Sequence, residues 1–200
     1  MELKLGSKVA ELETLEVEDL KITLGKAALI KPSDAPPSDE PGTWGVQLPS
    51  VIVRRGTFEL RGDGQPVSLD GIAVAGAIAI PAGGAISVTN LEVGASWREK
   101  KLPIVLAGGV ELGAGVAIPD AKIKVGELAL VVTGLVIDTQ QPTGTVKITG
   151  SPQAIAAVAP QIELPAGLDV ELIMKPSGRA ADVLIAGTFG DATIHGALHG

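Results

Sequence analysis

From about Leu12 to His199 the chain alternates apolar and polar residues in short runs, cut by Gly, Pro or Asp every eight to twelve residues or so. Leu-Lys-Ile-Thr-Leu-Gly (20–25), Ile-Ser-Val-Thr-Asn-Leu-Glu-Val-Gly (86–94), Lys-Ile-Lys-Val-Gly (122–126) and Thr-Val-Lys-Ile-Thr-Gly (145–150) are typical. A period of two sends successive side chains to opposite faces of an extended strand, so each run offers one apolar and one polar face. Many such runs with regular turn residues predict an all-β protein: an elongated, mainly antiparallel twisted sheet, either a half-pipe or an open sandwich.

The first strands are expected at Leu3–Leu5, Leu12–Val17 and Leu20–Leu24. A helix over Ser7–Leu20 is the rival reading, but Leu15/Val17 and Leu20/Ile22/Leu24 alternate cleanly and favour strand. Residues 31–50 are rich in Pro, Asp and Ser, which supply neither ladder donors nor a core, and predict a mobile loop within one domain spanning 1–200. Further strands are expected at 50–54, 57–61, 66–69, 72–80, 85–93, 103–107, 109–112, 121–125, 127–137 and 143–149. Gly71–Ile80 and Leu128–Ile137 are apolar on both faces and are expected to be covered on both. Ser151 then Pro152 reads as the N-cap and first position of the one helix, 152–159, stopped by Pro160. Strands resume at 161–164, 168–174, 181–187 and 191–198.

Composition narrows the chemistry. The chain is 46% apolar but only 20% charged, and no apolar run approaches the ~18 residues of a membrane-spanning helix. The aliphatic surplus must fill a core, meet a partner or line a groove. A net charge of −7 without Lys/Arg clusters argues against nucleic acid, because phosphate binding needs basic neutralisation. There is no cysteine, so disulfides, thiol chemistry and Cys-based zinc sites are excluded. Two Trp, two Phe and no Tyr leave too few rings for a stacking platform. The first residues do not read as a secretory signal, and a start on strand-like residues is expected of a piece of a longer chain.

The short motifs read as structure. His195 and His199 lie in a strand-like tail without a third ligand, so no metal site is expected. Arg61-Gly62-Asp63 falls where a hairpin turn needs Gly and Asp. Gly113-Ala114-Gly115 lacks the third glycine and the following helix of a dinucleotide loop. Glu163, Asp169 and Glu171 alternate with apolar residues, which puts Asp169 and Glu171 together on a solvent face rather than converging as a catalytic carboxylate pair. No nucleophile elbow or Ser-x-x-Lys is present. These observations point to a protein that is not an enzyme and needs no cofactor.

The units 15–25, 48–62, 67–76 and 185–200 share a strand-and-glycine cadence that resembles the AsmA-like/TamB superfamily, and type II secretion protein N has a similar look. The resemblance covers most of the chain but rests on cadence; the family's N-terminal membrane anchor is not found. It implies a long sheet curled into a half-pipe whose apolar inner face carries acyl chains across the periplasm or assists envelope assembly. An aliphatic face suits that task, since burying an alkyl chain gains ~0.8 kcal/mol per methylene. The expected lipid contacts are Val74, Ile78, Ile80, Ile86, Val88, Ile104, Leu106, Leu128, Leu130, Val132, Val146, Ile148, Val183 and Ile185. The expected function is a non-enzymatic lipid-handling or envelope-assembly module. Its partners are phospholipid or another alkyl ligand and an envelope or secretion-system protein. It is periplasmic if part of an anchored protein and cytoplasmic otherwise. The alternative is a self-assembling structural β-protein: a capsid, tail, filament or secretion-scaffold subunit.

Overall fold

The computed structural model describes residues 2–4, 9–25, 45–61, 67–82, 84–113, 115–137, 142–177 and 180–199. Among the described residues the fold is all-β with one short helix, and pairing is antiparallel except along one edge of the fifth strand. The chain divides into two compact units, Met1–Pro103 and Ile104–Gly200.

The first unit is built on β5 (Gly45–Arg61), β6 (Val67–Ile80) and β7 (Ile86–Trp97), consecutive antiparallel strands. The other edge of β5 carries β2 (Val9–Glu11), β3 (Leu15–Glu18) and β4 (Lys21–Gly25), all parallel to it. Val9 faces Gly45, Val17 faces Val53 and Ile22 faces Phe58, so the three short strands follow β5 in one unbroken register. β1 (Glu2–Lys4) pairs antiparallel with β2. The rival helix over Ser7–Leu20 is absent: residues 9–11 and 15–18 are strand.

β5 and β6 are each one long strand where two were expected. The cause is a set of bulges. Ladder register slips between Val53 and Gly56 and between Gly56 and Phe58. At that level Asp19, Arg55 and Gly71 have left-handed backbones, with φ of 54°, 55° and 60°. An extra residue in a bulge shifts the alternation by one, so Val53 and Phe58 stay on one side although their numbers differ in parity. Pro49, which cannot donate to a ladder, lies at another slip, between Leu48 and Val51. Residues 45–50 are therefore strand rather than the end of a loop; residues 31–44 lie outside the described residues.

The second unit is a meander of consecutive antiparallel strands. They are β8 (Leu102–Leu112), β9 (Val116–Val125), β10 (Leu128–Ile137), β11 (Thr143–Gly150), β12 (Leu168–Ser177), β13 (Ala180–Phe189) and β14 (Ala192–Leu198). β8 too is one strand through a slip at Gly108–Glu111, not the expected pair. Two-residue turns at Gly126-Glu127 and Gly190-Asp191, each with a left-handed glycine, fix the β9–β10 and β13–β14 registers.

The helix α1 (Pro152–Val158) forms as expected: the Ser151 hydroxyl accepts from the Ala154 amide at 3.1 Å. Residues 161–164 are not the expected strand; Pro160 and Pro165 bracket the run, and the Ile162 amide donates back to the Ala159 carbonyl. The expected double cover of β6 and β10 is also absent: Ala73, Ala75 and Val131 are exposed. Among the described residues the buried apolar side chains are Val53, Ala121, Val132, Ala154, Ile155 and Val170. Most other strand residues on the apolar faces are only half-buried.

Candidate apolar binding faces

The registers give the second unit an apolar face without a polar side chain on its central rows. One row runs Leu106, Ile123, Leu130, Ile148, Val170, Gly187, Ile194 across seven strands. The next runs Gly108, Ala121, Val132, Val146, Leu172, Ile185, Gly196. Only the middle of this face is well covered, at Ala121, Val132 and Val170. The opposite face carries Lys122, Lys147, Glu171 and His195 in one row, with Lys147 paired to Asp169 at 3.0 Å.

Two features shape this face. A Cβ on Gly187 would stand 2.1 Å from the Asp169 carbonyl oxygen and 2.7 Å from Val170 Cα, so β12 and β13 approach there as only glycine allows. One end of the face is capped by α1, which contacts β10 and β11. A Cβ on Gly150 would lie 2.8 Å from Leu128 Cδ1 and 3.4 Å from Ile155 Cγ1, which places the helix against the start of β10 and the end of β11.

In the first unit the apolar face holds the row Ile22, Phe58, Leu69, Trp97 and the row Val17, Val53, Val74, Val93. The bulges lie between these rows and leave a trough of about 300 Å³ lined by Leu20, Ile22, Val53, Phe58, Leu69, Ile72 and Val74, with Gly56 and Thr57. That volume is at the lower end of small-molecule sites. Its outer wall is thinly covered: Ile22 is 40% exposed and Leu15, further along the same edge, 43%.

The polar face of this unit is an ion-pair network. Arg54 Nε donates to Glu16 at 2.5 Å, and Arg55 donates to Asp19 at 2.9 Å and Glu18 at 2.6 Å. Arg61 pairs with Glu59 at 2.9 Å and Arg98 with Asp70. Hydrogen bonds from Arg55, Arg61 and Arg98 hold the carboxyls of Asp19, Glu59 and Asp70 below their ordinary range. Hydrogen bonds from Ser68, a residue only 3% exposed, do the same for Glu99. The four guanidinium groups of Arg54, Arg55, Arg61 and Arg98 are raised by the same partners. The Lys100 ammonium stands 5.9 Å from the Trp97 ring centroid.

The expected lipid contacts divide between the two units. Ile104, Leu106, Leu128, Leu130, Val132, Val146, Ile148, Val183 and Ile185 share the apolar face of the second unit. Val74, Ile78, Ile80, Ile86 and Val88 lie along the apolar side of β6 and β7, and only Val74 lines the trough. Leu20, Ile22, Val53, Phe58, Leu69 and Ile72 are trough residues outside the expected set; their signal is the alternation of 20–24 meeting that of β5 across a phase slip. His199 Nδ1 lies 2.9 Å from Asp182, and no cluster of three or more metal-ligating side chains occurs among the described residues. Arg61 ends β5, while Gly62 and Asp63 lie outside the described residues. Gly113 and Gly115 close the β8–β9 turn, the Gly113 amide donating to the Gly115 carbonyl at 2.9 Å.

No protein-family model, curated protein or solved structure matches this chain.

Proposed function

We propose that this protein is a non-enzymatic lipid-handling module that shields alkyl chains on its apolar sheet faces. The observation that carries the reading is the second unit's apolar face, whose rows cross seven strands without a polar side chain yet stay largely half-buried. Such a surface is unfavourable in water and gains ~25 cal/mol for each Å² that an alkyl chain covers. Charge is kept to the opposite face, so a hydrocarbon ligand meets no carboxylate or ammonium there. The cadence resembling the AsmA-like/TamB superfamily supports the same role and a periplasmic, envelope-linked setting. The test is native mass spectrometry of delipidated protein mixed with phospholipid. Lipid adducts at micromolar excess are expected; bare protein throughout would sink the reading.

A second reading, self-assembly, is favoured by β14. It pairs with β13 alone among the described strands, and its sequence Ala-Thr-Ile-His-Gly-Ala-Leu holds no Pro, Lys or acid of the kind that discourages edge-to-edge pairing. Sizing across a concentration range tests it, and a strict monomer would count against it.

A further inference from the structure

We propose that the trough of the first unit is a seat for one alkyl chain, and that residues 9–25 form its displaceable wall, latched by Arg55. The proposal rests on the alkyl-shielding reading and assigns it a position and a control. Four observations converge. The trough is lined almost wholly by Leu, Ile, Val and Phe, so its ligand is a hydrocarbon segment whose polar end stays outside. Leu20 and Ile22, one side of the trough, belong to the parallel segment rather than to the long strands.

That segment is weakly held along β5. It consists of strands of 3, 4 and 5 residues joined at 12–14 and 19–20, in the pairing mode that is slightly weaker per residue. None of its described side chains is buried. Finally, the two strands bulge together at the trough. Asp19 and Arg55 are both left-handed, stand at matching positions of the register, and bond to each other at 2.9 Å. The Thr57 amide donates to the Leu20 carbonyl at 2.7 Å, so the ladder resumes next to the Asp19–Arg55 pair, at the first residue of the segment that lines the trough. An exposed ion pair contributes little to stability and is screened by salt, which makes the latch releasable rather than permanent.

Photo-crosslinking of the full chain with a phospholipid carrying a diazirine at the end of one acyl chain tests this. Adducts are expected on residues 20–22, 53–58 and 69–74. Ile22→Glu puts a charge in the wall at a half-exposed site, and is expected to cut those adducts at least about tenfold while circular dichroism keeps the sheet signal, because a buried carboxylate is strongly disfavoured beside an alkyl chain. Val74→Phe, which fills the trough without charge, is expected to cut them too. The double variant Glu18→Gln/Asp19→Asn removes the attraction but keeps a residue tolerant of the left-handed backbone. It is expected to speed labelling roughly two- to fivefold, and molar NaCl is expected to do the same to the unaltered protein, as fits a latch of the strength of an exposed ion pair. Adducts confined to the second unit would overturn the seat and leave the shielding reading standing. Absence of adducts anywhere would overturn both. Trough adducts with an unchanged rate in the double variant would overturn the latch.

Discussion

The two units solve the same problem with different regularity. In the second, alternation holds its phase along most of each strand, hairpins fix the registers, and the apolar face emerges as continuous rows. In the first, alternation slips wherever a bulge intervenes, at Asp19, Arg55, Gly71 and Asn90, and the apolar face is broken by a trough. Strict phase gives an unbroken band; interrupted phase gives a localised hollow. The difference lies in where residues without a ladder partner are placed, since both units draw on the same aliphatic residues.

The sharpest way to break the comparison is Gly187→Val. The regular unit depends there on a backbone approach that leaves 2.1 Å for a Cβ, and the change is expected to cost about 3 kcal/mol or more. Thermal denaturation followed with a probe in the second unit checks it; a cost well under that of ordinary overpacking would mean the close approach is not needed.

A smaller effect is expected from Gly71→Val in the bulged unit. No atom lies within 4 Å of the added Cβ, so only the left-handed φ of 60° opposes it, at about 1–2 kcal/mol. Urea titration would show this cost, and a neutral outcome would mean that the bulge relaxes freely.

The smallest effect is acid sensitivity of the first unit. The carboxyls of Asp19, Glu59, Asp70 and Glu99 all lie there and are all held low. Groups with depressed folded values contribute stability above their unfolded values, near 3.8 for Asp and 4.5 for Glu, and that stability is lost as pH falls through the lower folded values. Lowering pH from about 5 to 2 is therefore expected to loosen residues 9–25, which the exposed Asp19–Arg55 pair helps tie to β5. Hydrogen exchange at the two ends of this range would show it. Equal protection at both would remove the ion pairs from the account.

The legibility of the fold in the sequence divides along the same line. Strand type, the helix at Ser151-Pro152 and the shared face of Leu128, Leu130 and Val132 are legible because period-two patterning survives wherever a ladder is regular. The joins 54/57, 69/72 and 107/109 look like gaps between strands because a phase slip and a turn leave the same mark in a sequence. Asp19, Asn90 and Gly71 are residue types that tolerate a left-handed backbone, so a slip centred on one of them signals a bulge. Arg55 gives no such hint. The parallel course of 9–25 along β5 is invisible in the sequence, because alternation fixes which face a side chain takes but not the direction of the neighbouring strand.

That parallel course also bears on the order in which the molecule assembles. A hairpin such as β9–β10 closes over two residues, whereas Val9 finds Gly45 only after a long stretch of chain has been brought round. Distant closure is slower and entropically dearer than local closure. During synthesis the earliest strands must therefore wait for β5 to emerge, and they dock onto a sheet whose hairpins can form without them.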